Sequence, residues 1–315
     1  MKKTALAFAP AAISSFFEIC DTNPDGKPIT NLEYVGARGG GFGLQKGVLT
    51  KVVVSEAKRS SVNVNINCTL SHQAETTKAV IHALLVKTEK TFRIDVSHTI
   101  EVPIGAGFGT SAGGSLTAGL ALKEALDLPL TYNQIGKIAH VAEIQNQTGL
   151  GTVSSLTSIG GCVLVVEPGA PGICQLDRIP ITPDYAVVAG FFKSSLPKII
   201  LTDPKKRQVI NFYGKKTLKA ILAEPSLENF LECCWAFSEK AGFTTENVRR
   251  LVKLAKKAGA VGAAQNMLGE AVHAVVTQEN VQAVAEAFKE VLPTENVIIS
   301  KIDFQGARLI KHEKI

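Results

Sequence analysis

No two of the six cysteines in this 315-residue chain stand as CxxC, and none has a spacing suited to a zinc site. Cys20, Cys68, Cys162, Cys174, Cys233 and Cys234 are scattered and read as reduced, mostly buried thiols. No run is long and apolar enough to span a bilayer, so a membrane helix is not expected. There is no internal repeat. The basic residues are not interleaved with aromatics and no helix reads as a recognition helix, which argues against a nucleic-acid partner despite the +6 balance. What remains is 45% hydrophobic and 20% charged, ordinary for a globular chain, and long enough for two domains or one large one.

The opening MKKTALAFAPAAISSFF imitates a secretory leader. Pro10 interrupts it, however, and apolar character runs on through Phe16, Phe17 and Ile19 without a clear small-residue cleavage site. A first strand over residues 4–9 and a cytoplasmic protein are therefore expected. Pro10 should then begin a loop carrying Ser14, Ser15, Glu18 and Asp21, and NPDGKP at 23–28 is strong turn chemistry. GARGGGFGL reads as a glycine-rich loop around Arg38. A guanidinium there can grip a carboxylate or phosphate through paired hydrogen bonds, or be a surface arginine in a turn.

Periodicity predicts strands near 48–54, 61–70 and 92–102, and helices near 74–87 and 111–126, the last stopped by LDLPL. Thr131 and Gln134 have capping-box spacing for a helix ending near Gly149. Residues 149–161 read as a second glycine-bearing turn before the strand CVLVVEPG, and the loop formers at 170–182 suggest a boundary. After the strand DYAVVAGFF comes a polar connection with Lys198, Lys205, Lys206 and Arg207, read as solvated surface. Helices are predicted near 226–240, 245–258 and 277–291, then closing strands at 297–302 and 307–312 around a turn at Gln305 and Gly306. This alternation gives a two-domain α/β or α+β chain.

The stretch with the clearest chemistry is VPIGAGFGTSAGGSLTAGLAL, residues 102–122. A β-branched run leads in and an Ala/Leu-rich helix leads out. Glycines without Cβ atoms let the backbone approach an anion, and a helix opening at Ser111 offers free N–H groups and the positive end of its dipole. The stretch lacks the lysine of GxxxxGK[ST] and the third glycine of GxGxxG, so neither a Walker loop nor a Rossmann fingerprint is present. Glu143 lies close to the apolar stripe of its helix, where an unpaired carboxylate is costly to bury. Periodicity leaves it between an edge residue reaching solvent and a cation ligand, and His140 one turn earlier does not by itself make a metal site.

PIGAGFGTSAGG resembles the phosphate-binding motif of the GHMP kinases, which phosphorylate small metabolites with ATP. APAAISSFFEI, GARGGGFGL, EPSLENFLECCWAF and AGAVGAAQNMLGEAVHAV look like the archaeal pantoate kinase branch of that family. The resemblance implies an α+β, two-domain fold: an N-terminal α/β ATP-binding domain at 1–178 and a C-terminal ferredoxin-like α+β domain at 179–315. It implies transfer of the ATP γ-phosphoryl group to the 4-hydroxyl of (R)-pantoate on the route to coenzyme A. Pro103, Gly105, Gly107, Phe108, Gly109, Thr110, Ser111, Ala112, Gly113 and Gly114 would bind ATP, with Ser111 and Glu143 at Mg²⁺. Ser14, Ser15 and Arg38 are the residues expected at the substrate, from loop position and chemistry. Many relatives carry an aspartate where this chain has Thr152, so no catalytic base is assigned, although Glu18 and Asp21 are candidates. No membrane or nucleic-acid partner is expected, and a homodimer is left open.

Overall fold

The computed structural model describes residues 2–71, 73–158, 160–193 and 203–311. Two long strands run through its first half, β1 (Lys2–Cys20) and β2 (Gly36–Glu56), antiparallel along nearly their whole length. The loops expected after Pro10 and around Arg38 are therefore strand. Pro10 falls at a register shift, where a missing N–H is tolerated, and a second shift follows Ser14. The glycines of GARGGGFGL keep the neighbouring backbone close. A Cβ on Gly41 would lie 1.7 Å from the Ile13 carbonyl oxygen, and one on Gly39 would lie 2.5 Å from that of Phe16.

The first sheet continues with β3 (Ser61–Ile66), β4 (Thr69–Leu70), β5 (Phe92–Ile100) and, from the end of the chain, β12 (Arg308–Ile310), in the order β12-β1-β2-β5-β3-β4. The strand expected over 61–70 is broken by Asn67 and Cys68, both at positive φ. The first half of β2 pairs with β6 (Cys162–Glu167), which pairs with β7 (Gln175–Ile179). Among the described residues, β3 and β5 alone run parallel. Helices α1 (Glu75–Leu85), α2 (Thr110–Leu126) and α3 (Tyr132–Gln145) bury Val80, Leu84, Leu116, Leu120 and Ile135 against Val52, Ile94 and Val96 of the sheet. The capping box of Thr131 and Gln134 is present. Turn 149–161 instead contains a short helix, α4 (Thr152–Ser158).

The second sheet has the order β11-β8-β10-β9, all antiparallel, from β8 (Tyr185–Lys193), β9 (Gly262–Gln265), β10 (Glu270–Thr277) and β11 (Val297–Lys301). With helices between β8 and β9 and between β10 and β11, this is the ferredoxin-like arrangement. The helices are α5 (Pro204–Ala223), α6 (Leu227–Lys240), α7 (Glu246–Lys257) and α8 (Val281–Lys289). Lys205, Lys206 and Arg207 belong to α5, which replaces the polar connection expected there; Lys198 lies outside the described residues. Asp203 caps α5 through the N–H groups of Lys205 and Lys206, and Pro204 opens it. The two closing strands do not pair with each other. β11 joins β8, whereas β12 (Arg308–Ile310) returns to β1 in the first sheet.

One core spans both sheets. Phe16, Phe42 and Leu44 of the first half pack with Val187, Phe230, Phe237 and Val275 of the second, and the Phe42 and Phe230 rings meet edge to face at 5.4 Å. Such rings bury large apolar areas, so the halves are held by packing as well as by chain connection. Of the six free cysteines, only Cys162 and Cys234 are buried and Cys68 is exposed, fewer buried thiols than composition suggested.

Candidate active site

The glycine loop between β5 and α2 has φ of +81° at Gly105, +81° at Gly107 and +62° at Gly109, a backbone that other residues rarely adopt. Gly109 precedes α2 in left-handed conformation, with no side-chain cap and no acidic residue in the first turn. The first N–H groups of α2 and its positive dipole end thus lack a protein side chain to satisfy them. Three distant stretches hold the loop. The Ala12 N–H donates to the Phe108 carbonyl at 3.0 Å. A Cβ on Gly109 would lie 2.9 Å from the Thr152 methyl, one on Gly107 3.0 Å from Asn266 Cβ, and one on Gly269 2.9 Å from the Ala106 carbonyl oxygen. The loop is thereby wedged between β1, the start of α4 and the turn from β9 to β10.

Not every residue of the motif faces the same way. Gly105 is exposed and Pro103, Gly107, Gly109 and Ser111 are half-buried, whereas Phe108, Thr110, Ala112, Gly113 and Gly114 are buried. Phe108 is a core anchor. Gly113 lets α2 approach Val48, and Gly114 lets it approach the His98 ring. His98 is in turn bonded to Thr50 at 2.7 Å and Thr77 at 3.2 Å.

Ser111 Oγ donates to Glu143 Oε1 at 2.5 Å, joining the first turn of α2 to α3. Thr148 Oγ1 donates to the same oxygen at 2.7 Å, a partner that sequence reasoning missed because it lies beyond the helix. Glu143 is only 3% exposed. Burial pushes its carboxyl above the ordinary value, and the two hydroxyl bonds oppose this only in part. Gly149 is required beside it, since a Cβ there would lie 2.6 Å from Oε2. A buried carboxylate with oxygen-bearing neighbours and no ion pair among the described residues suits a hard cation. No cluster of three or more His, Cys, Asp or Glu that could hold a metal occurs among the described residues, so the rest of such a cation's shell would come from ligand or water. His140 Nε2 instead bonds the Val35 carbonyl at 2.8 Å.

The residues expected at the substrate are spread along β1 and β2. Arg38 Nη1 lies 3.4 Å from Glu18 Oε1, Nη2 lies 2.8 Å from Glu167 Oε2, and Nε donates to the Val166 carbonyl. The Ser14 carbonyl accepts from Met267 N–H at 2.8 Å. Ser15 is fully buried, its hydroxyl 3.0 Å from His273 Nε2. Asp21 pairs with Arg207 at 2.6 Å.

Residues 75–157, which span α1 to α4 and the glycine loop, match the family described as GHMP kinases N terminal domain. This stretch is a GHMP kinase N-terminal domain. The chain is 28% identical to a pantoate kinase of Methanocaldococcus jannaschii over 87% of its own length and 94% of that protein's. It is 29% identical to a pantoate kinase of Thermococcus kodakarensis over 92% of each. A solved structure described as a phosphotransferase related to the CoA biosynthesis pathway superposes with a TM-score of 0.86 and 25% identity, covering 98% of this chain and 99% of that one. The chain is thus an ATP-dependent small-molecule kinase of two-domain α+β architecture.

Proposed function

We propose that this kinase moves the γ-phosphoryl group of ATP to the 4-hydroxyl of (R)-pantoate, acting in the cytoplasm on the route to coenzyme A. The observation that carries the reading is the buried Ser111–Glu143 contact at the open N-terminus of α2, beside a glycine loop at positive φ. Relatives that share nearly the whole chain supply the substrate. In this reading the N–H groups from Gly105 to Ser111 surround the triphosphate. Ser111 and Glu143 would hold Mg²⁺, which when bound offsets charge on the transferred group. The ATP-binding unit is placed at 1–178 and the second unit at 179–315, with β12 returning to the first sheet.

For the acid, Arg38 is assigned to the carboxylate, which would take the place of the exposed Glu167, and Ser14 is favoured over the buried Ser15 for contacts to hydroxyls. Thr152 stands against Gly109 with no acid–base group to offer. Glu18 and Asp21 both have cationic partners. Transfer is therefore assigned to positioning and charge neutralisation, which phosphoryl chemistry permits.

ADP release by the purified protein with Mg²⁺ and ATP, measured with (R)-pantoate, mevalonate and homoserine, tests the proposal. The expected result is the highest kcat/KM with pantoate. Equal or better turnover of another acceptor would move the assignment within the family, and ATP binding without turnover of any acceptor would make the chain a silent nucleotide-binding protein.

A further inference from the structure

Ser15, His273 and Asn266 form a buried polar chain between the two sheets. All three are fully buried, yet they come from β1, β10 and the turn after β9. Ser15 Oγ lies 3.0 Å from His273 Nε2, and His273 Nδ1 lies 2.8 Å from Asn266 Oδ1. Burial drives the imidazole down to about 3, so the ring is neutral at any working pH. A neutral ring has one N–H. The amide oxygen can only accept, so Nδ1 donates to Asn266 and Nε2 accepts from the Ser15 hydroxyl.

The far end of this chain is the floor of the glycine loop. Asn266 Cβ and the Met267 carbonyl oxygen would lie 3.0 Å and 3.2 Å from a Cβ on Gly107, so the loop rests on this turn without space between them. The turn is fixed at its other sides by Asn266 N–H to Ala271, Gly269 N–H to Asn266 and Met267 N–H to Ser14. Asn266 Nδ2 is buried without a partner. An unsatisfied buried amide is destabilising, and an apolar trio of similar shape would fill the same space without that cost, so stability alone does not explain the network.

We propose that His273 is a positioning residue: acting through Asn266, and braced by Ser15, it fixes the seat of the glycine loop at Gly107 and thereby the pose of the nucleotide phosphates. The inference rests on the reading of that loop as the ATP site.

The test is calorimetric binding of a non-hydrolysable ATP analogue with Mg²⁺, together with KM for ATP and for pantoate. His273→Phe keeps a ring but removes both hydrogen bonds, and Asn266→Ala removes the link to the loop. Each should weaken analogue binding and raise the ATP KM roughly tenfold, the scale of one or two net hydrogen bonds, while KM for pantoate stays within about twofold. The double variant should be no worse than either single one, because both break the same chain. His273→Gln, able to bond in both directions, should recover most of the affinity.

Wild-type analogue affinity in a folded His273→Phe protein, or losses that multiply in the double variant, would overturn the proposal. If His273→Phe does not fold, Ser15→Ala deletes a single hydroxyl at the opposite end and should weaken the analogue about threefold, within the range of one net hydrogen bond; unchanged affinity there would equally overturn it. Absence of analogue binding by the wild-type protein would overturn the ATP-site reading itself, and the inference with it.

Discussion

Glu143 and Glu18 are both carboxylates drawn into the fold, but their charges are met by different means. Glu143 is 3% exposed beneath the start of α2 and accepts from two hydroxyls. Glu18, on β1, stands directly across the strand pair from Arg38 and lies 3.4 Å from its guanidinium. Burial pushes the Glu143 carboxyl above its ordinary value, and the two hydroxyls, which solvate a carboxylate without neutralising it, offset this only in part. The protein itself provides a cation at Glu18. The proposed divalent ion would therefore sit with Glu143, whereas Glu18 is tied to the arginine assigned to the acid substrate.

The sharpest way to break the comparison is to remove the charge at Glu143. Glu143→Gln keeps the shape and should lower kcat roughly 100-fold, because a metal ion at a transferred phosphoryl group supplies several kcal/mol. A steady-state assay at saturating ATP and Mg²⁺ reads this, and near-normal turnover would take the cation away from Glu143. Ser111→Ala removes one weaker oxygen and should cost about tenfold in kcat, on the scale of one charge-assisted contact. Titrating Mg²⁺ should show a raised requirement.

Arg38→Ala acts on the other member of the pair. It should raise KM for pantoate about tenfold with kcat little changed, as expected for a contact made equally in ground and transition states. It should also lower Tm by leaving Glu18 without its cation, and Arg38→Ala combined with Glu18→Gln should restore Tm but not KM. If the double variant is no more stable than Arg38→Ala, the Glu18–Arg38 pairing contributes nothing.

The smallest effect expected is on pH-dependent stability. Burial raises the Glu143 carboxyl above its ordinary 4.5, so folding favours the protonated form. That contribution is fully present below the unfolded value and is lost as pH rises through the folded one. Without divalent cations, Tm of the wild type should fall relative to Glu143→Gln as pH is raised from about 4.5 toward neutrality. Mg²⁺ with ADP should narrow the gap, and parallel Tm curves would show that Glu143 is not strained by its charge.

The two regions also differed in how plainly the sequence announced them. The glycine loop, α2 and the capping box at Thr131 are local features, written in consecutive residues, and they stand where periodicity and turn chemistry put them. Glu143 could be placed near an apolar stripe, but Thr148 and Gly149 beside it depend on how the chain leaves α3. Around Arg38 local rules misled: a run of glycines normally signals a loop, whereas here it permits close packing of β1, β2 and β6. The β1 strand passes through Pro10 because a bulge removes the need for its N–H. Helix α5 is hard to read because its exposed face is strongly basic and Gly214 breaks its sequence pattern, although the helix runs on through it; that glycine sits where a Cβ would lie 2.2 Å from the Phe17 carbonyl oxygen. The Ser15–His273–Asn266 chain joins residues up to 258 positions apart, and no spacing rule reaches that far.

Phosphorus-31 NMR of the reaction of wild-type protein, ATP, Mg²⁺ and (R)-pantoate tests the central claim most directly. The account predicts a new phosphomonoester resonance coupled to the methylene protons at C4, growing in step with ADP and absent when pantoate is omitted. ADP accompanied only by inorganic phosphate, or no pantoate-dependent resonance at all, would contradict it.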